Sequence, residues 1–212
     1  SDAFFADLRS LNIKTAEEYP RAAKHIPEQI ALIQTLEQKG FAYKTSDGMY
    51  FDTSKFPRYA DFAQLDIAGL RAGARVEANK DKRNATDFAL WKFSTKEGTR
   101  LQEWESPWGK GFPGWHIECS AMAMKYLGET LDINTGGVDH IPVHHTNEIA
   151  QSECATGKQF VRFWMHSAHI TVDGQKMSKS LGNTYLLSDL AKKGVSPLAF
   201  RYWLLTASYR TQ

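Results

Sequence analysis

Gly114-Trp115-His116-Ile117-Glu118-Cys119-Ser120, followed by Gly136-Gly137-Val138-Asp139-His140 and then His144-His145-Thr146-Asn147-Glu148, is the stretch on which the reading of this chain turns. It holds one thiol, several imidazoles and a carboxylate at spacings able to close on a metal. Trp115 to Leu127 reads as a helix stopped by Gly128, Leu131 to Asn134 as a short strand, and Val143 to Thr156 as a helix stopped by Gly157. Phe163 to His166 and Ile170 to Val172 read as strand, and Ser196-Pro197 caps a last helix through Leu205. Strands alternating with helices predict an α/β fold, a parallel sheet with helices on both faces.

Spacing supplies the chemistry. His144 and Glu148 sit four residues apart on a predicted helix, so both side chains leave one face. Imidazole and carboxylate are both zinc ligands, and Cys119 on the preceding helix adds a thiolate. Three protein ligands leave the fourth position of zinc open for water or substrate. The same residues also read as a buried small thiol and an ordinary i,i+4 pair. Gly136-Gly137-Val138-Asp139 occupies a strand-to-helix turn, where ligands of parallel α/β sheets bind. An Asp there can accept from ribose hydroxyls, although Gly-Gly-x-Asp is equally a plain turn. Lys176-Met177-Ser178-Lys179-Ser180, followed by Leu181-Gly182, can neutralise a triphosphate as charge develops, or is simply an exposed basic loop.

Working outward, Phe4, Phe5, Leu8 and Leu11 predict an amphipathic first helix. Pro27, the stripe Ile30, Ile33 and Leu36, and Gly40 mark a second. Ser46-Asp47-Gly48 between Phe41–Lys44 and Met49–Asp52 is a hairpin signal. Lys55 to Arg75 reads as a small helix and a turn near Gly69 and Gly73, Asp87 to Phe93 as a buried strand, and 94–114 as an irregular loop leading into a site. The expected organisation is 1–19 as the end of a first half-domain, 20–85 as a small α+β connecting insertion, 86–175 as a second half carrying the site, and 176–212 as the lysine loop with its helices.

The composition of the 212 residues excludes little: 42% are hydrophobic, 24% are charged and the net charge is +2, so any nucleic-acid contact must come from a local patch. Two cysteines cannot build a disulfide framework, and no apolar run reaches the ~20 residues of a membrane span, which together predict a cytoplasmic protein. The chain begins Ser1-Asp2 without an initiator Met, the mark of a piece of something longer.

These motifs resemble a known family. Lys176-Met177-Ser178-Lys179-Ser180 is similar to the signature loop of class I aminoacyl-tRNA synthetases. Gly114–Ser120 together with His144–Ser152 resembles the cysteinyl-tRNA synthetases specifically, as do Asp81-Lys82-Arg83-Asn84, Asp87–Lys92 and Trp164-Met165-His166-Ser167. The resemblance implies the second half of a Rossmann-like catalytic domain, with Zn2+ held by Cys119, His144, Glu148 and a fourth ligand outside this chain. It also implies a cysteine pocket lined by Trp115 and His116, and a ribose contact from Gly137 and Asp139. Lys176 and Lys179, with Met177 and Ser178, fall where the family handles ATP phosphates and their Mg2+. The implied partners are L-cysteine, ATP and tRNA(Cys). The family's His-Ile-Gly-His signature and its anticodon-reading domain belong beyond these 212 residues, and His140 is read as a supporting group behind the ligands or a plain loop residue rather than a ligand. Two other readings share the motifs: a cysteine-activating ligase of the mycothiol-synthesis type, and a non-catalytic zinc- or cysteine-binding relative.

Overall fold

The computed structural model describes residues 2–65, 80–95 and 100–209. In chain order its main elements are α1 (Asp2–Ser10), α2 (Ile26–Gln38), β1 (Ala42–Lys44), β2 (Gly48–Phe51), β3 (Phe88–Phe93), β4 (Gly111–Pro113), α3 (Trp115–Leu127), β5 (Leu131–Gly137), α4 (Thr146–Thr156), β6 (Val161–Ser167), β7 (Thr171–Val172), β8 (Gln175–Lys176), α5 (Leu187–Lys192) and α6 (Pro197–Thr206). They form two units, one of residues 20–166 and one of 1–19 with 167–212.

In the larger unit the helix signals act as expected. Pro27 stands in the first turn of α2, whose buried stripe is Ile26, Gln29, Leu32, Ile33 and Leu36. Gly40, Gly128 and Gly157, all at positive φ, follow α2, α3 and α4. The α/β class holds, and the sheet divides in two. Four strands in the order β1-β2-β3-β4 make an antiparallel sheet. Short connections favour this at β1–β2, because parallel pairing needs a long crossover. The strand over Phe88–Phe93 thus pairs with the hairpin, and part of the expected loop 94–114 is β4. The parallel character belongs to β5 and β6. The Leu131 N–H donates to the Phe160 carbonyl (2.7 Å), so these strands start side by side with α4 as the crossover between them. The turn that runs directly into α4, Ile141–His145, is π-wound rather than part of a continuous α-helix from Val143. The expected turn near Gly69 and Gly73 lies outside the described residues.

Helix α2 packs on α3 and α4, and Ile117, Ala121 and Ala150 join Ile33, Leu36, Met49, Phe51, Leu90 and Trp91 in one core. The hairpin is tied to the segment before β3 by Asp87. Its carboxylate accepts from the Tyr43 hydroxyl (2.6 Å), from the Thr53 N–H and hydroxyl (both 2.9 Å) and from the Asn84 N–H (2.9 Å). Asp52 beside it accepts from Ser54, Arg83 and Asn84.

In the smaller unit, Asp173 (φ 50) and Gly174 (φ 72) form a two-residue turn joining β7 to β8. Ser196 caps α6 by accepting from the Ala199 N–H (3.1 Å). Helix α1 buries no residue, and its Phe5 packs edge-on against Tyr19.

Candidate metal centre

The N-terminal turn of α3 presents Trp115, His116 and Cys119, and the π-wound turn running into α4 presents His144 and Glu148. Packing of α3 on α4 brings the ligand atoms of Cys119, His144 and Glu148 within 4.8 Å of one another. His144 and Glu148 are nearly fully buried, and the imidazole Nε2 lies 2.8 Å from the carboxylate, as the i,i+4 spacing predicts. The other nitrogen, Nδ1, lies 2.9 Å from Nδ1 of His116. Burial pushes the His116 imidazole down to about 3, with the neighbouring His144 adding to the shift, so His116 is neutral. The ring of Trp115 covers His144 at 4.5 Å between centroids.

Burial, then the charges of Glu148 and Glu118, push the Cys119 thiol up to about 12. Left to itself this thiol keeps its proton. A divalent cation would reverse the balance, because a thiolate beside a carboxylate needs positive charge between them. One soft sulfur, one imidazole and one carboxylate, mutually close, is a donor set that fits zinc.

A second imidazole group adjoins the first. His145 Nδ1 lies 2.8 Å from His166 Nε2, its ring packs on Trp164 (4.6 Å), and His140 stands 5.3 Å from it. Burial, then His166, His144 and His140, lowers His145 to about 4. The glycines of the strand-end turn make room for these neighbours: a Cβ on Gly136 would lie 2.5 Å from the His145 ring, and one on Gly137 would overlap the Asp139 carboxylate. Beside Trp115 a cleft of about 390 Å³ is lined by Arg100, Trp104, Phe112 and Glu118. Burial raises the Glu118 carboxyl.

Of the residues singled out in the sequence, Cys119, His144, Glu148, Trp115 and His116 therefore meet in one place, with Gly137 and Asp139 in the turn that ends β5. Met177 and Ser178 belong to the smaller unit, where the Ser178 N–H donates to Asn183 (2.8 Å). The side chains of Lys176 and Lys179 lie outside the described parts. His145, His166 and Gln151 carried no spacing signal of their own, because their partners come from other elements.

A family model described as tRNA synthetases class I (C) catalytic domain matches residues 1–212. The chain belongs to this family of class I tRNA synthetase catalytic domains. It is 54% identical to Cysteine--tRNA ligase 1 of Burkholderia lata, over 100% of this chain and 45% of that protein. It is 52% identical to Cysteine--tRNA ligase of Protochlamydia amoebophila (100% and 45%) and 50% identical to that of Treponema denticola (99% and 43%). The chain spans less than half the length of these relatives. Among the described residues no helix is long and apolar enough to cross a membrane.

Proposed function

We propose that this chain is catalytic-domain sequence of a cysteine--tRNA ligase, which activates L-cysteine with ATP and passes it to tRNA(Cys). The observation that carries the reading is the half-buried thiol with the buried imidazole and carboxylate, their ligand atoms within 4.8 Å of one another, in a family whose relatives bear that name. Cys119, His144 and Glu148 would hold a zinc ion, which would favour a substrate thiolate over a serine hydroxyl.

The chain's own residues then orient the site. Neutral His116 holds Nδ1 of His144, which fixes the ring and leaves Nε2 turned toward Glu148. Trp115 covers one side of the His144 ring. In the reaction, the cysteine carboxylate attacks the α-phosphorus of ATP, forming an O–P bond as the bond to pyrophosphate breaks; a ribose hydroxyl of the terminal adenosine of tRNA then takes the acyl group and AMP leaves. Asp139 and Gly137 are assigned to the ribose, and Lys176 and Lys179, with Met177 and Ser178 between them, to the phosphates and their Mg2+. Catalysis of this kind is positioning and charge stabilisation, with no covalent protein intermediate. The division into a connecting insertion at 20–85, a site-bearing half at 86–175 and a lysine loop from 176 belongs to the same reading, as does a cytoplasmic setting.

The test is calorimetric titration of the zinc-loaded chain with cysteine and, separately, with serine. Zinc-dependent heat from cysteine alone is expected. Zinc held at Cys119 with equal response to both amino acids would overturn selection by the metal.

A further inference from the structure

Beneath the donor atoms, α3 and α4 are joined by a polar ladder that the function above does not use. Gln151, Ser120 and Ser152 are fully buried. The Gln151 amide Nε2 donates to the His116 carbonyl (2.7 Å) and to the Ser120 hydroxyl (2.6 Å), and Ser152 Oγ lies 2.9 Å from Ser120 Oγ. Ser120 follows Cys119 directly, and the His116 carbonyl lies one turn before it. On α4, Gln151 stands three residues beyond Glu148, on the same face. One side chain therefore ties the turn that carries Cys119 to the helix that carries Glu148.

An amide suits this role: it is uncharged, reaches two acceptors at once, and offers Glu148 no competing cation. Gln151 Oε1, by contrast, is buried without a hydrogen-bond partner among the described residues. Such a loss is uncommon in native cores and accompanies groups kept for a purpose beyond packing.

We propose that Gln151, through Ser120 and the His116 carbonyl, is a positioning residue that sets the separation of Cys119 from His144 and Glu148, and with it the affinity and geometry of the metal centre. The inference rests on reading that donor set as a zinc site. Cobalt(II) is the probe: its d–d bands report coordination geometry, its thiolate charge-transfer band reports Cys119, and competition with a chromophoric chelator gives affinity. The wild-type chain is expected to show both features. Gln151→Leu should lose roughly 10-fold in cobalt affinity, the lower end for partners outside the ligand set, and shift the d–d bands. Ser120→Ala, which spares the bond to His116, should shift both in the same direction by less, and it keeps the test alive if Gln151→Leu does not fold. Wild-type affinity and spectrum in the folded variants, with only the melting temperature lowered, would overturn the positioning role. A wild-type chain with no thiolate charge-transfer band would instead overturn the metal reading on which it rests.

Discussion

The knot of carboxylates behind the hairpin and the donor cluster between α3 and α4 are both polar and both buried, yet they are built in opposite senses. In the knot, charge is met from within the chain. Burial pushes the Asp52 carboxyl up, but bonds from Ser54 and Arg83 outweigh it and hold the group below the usual carboxylate range. Asp47 is held low in the same way against Lys92. In the donor cluster the protein keeps neutral forms: Cys119 is pushed up to about 12, His116 down to about 3 and His145 down to about 4. The first cluster is electrostatically complete, whereas in the second, among the described residues, no lysine or arginine contributes to those shifts. A structural polar network and a binding site thus differ less in burial than in whether their charges close internally.

The strongest way to break this comparison is Asp87→Ala. It strands the Tyr43 hydroxyl and the Thr53 and Asn84 N–H groups, and should cost about 3–5 kcal/mol in urea unfolding; a loss under about 1 kcal/mol would mean that the knot is not what holds the hairpin. Cys119→Ser should lower cobalt or zinc affinity more than about 100-fold, roughly 2.7 kcal/mol. It should leave metal-free unfolding nearly unchanged, since no internal charge pair is lost, and a large metal-free destabilisation would erase the contrast. Tyr59→Phe removes the buried bond of the Tyr59 hydroxyl to the Asn147 side chain (2.6 Å) and should cost about 1–2 kcal/mol; it sharpens the comparison by asking whether a bond beside Glu148 supports fold or site.

Acid should produce the smallest effect. The folded Asp52 carboxyl titrates below its unfolded value near ~3.9. Its contribution is therefore present above that pH and lost as pH falls through the lower folded value. The stability gap between wild type and Asp52→Asn should be constant from pH 7 to 5 and shrink toward pH 3. A gap that widens on acidification would reverse the assigned sign.

Much of the local structure was legible because its causes are local. Pro27 and Gly40 bracket α2, Gly128 and Gly157 close α3 and α4, and Ser196 caps α6, each through groups within a turn or two of each other. The strand over Phe88–Phe93 was legible as an element, but not its partners. Whether it joined a parallel sheet or the hairpin depends on contacts with residues some forty positions earlier. The stretch 94–114 hid β4 for a related reason: three residues of Gly-Phe-Pro carry no alternation, and only pairing with β3 makes them a strand.

For the site, the i,i+4 pair of His144 and Glu148 follows from helix periodicity, and the motif strings around Cys119 and Lys176 pointed to the family. The sequence alone therefore determined the α/β class and most helix ends, and its motif strings named the candidate donor residues. Only the tertiary structure decided that Cys119 faces that pair, that His145 meets His166, that Gln151 spans from α4 to the His116 carbonyl, and that the strands part into an antiparallel sheet and a βαβ unit. The physical reason is range. Capping and periodicity act between neighbours in the chain, whereas the apposition of two helices is set by the packing of side chains distant in sequence.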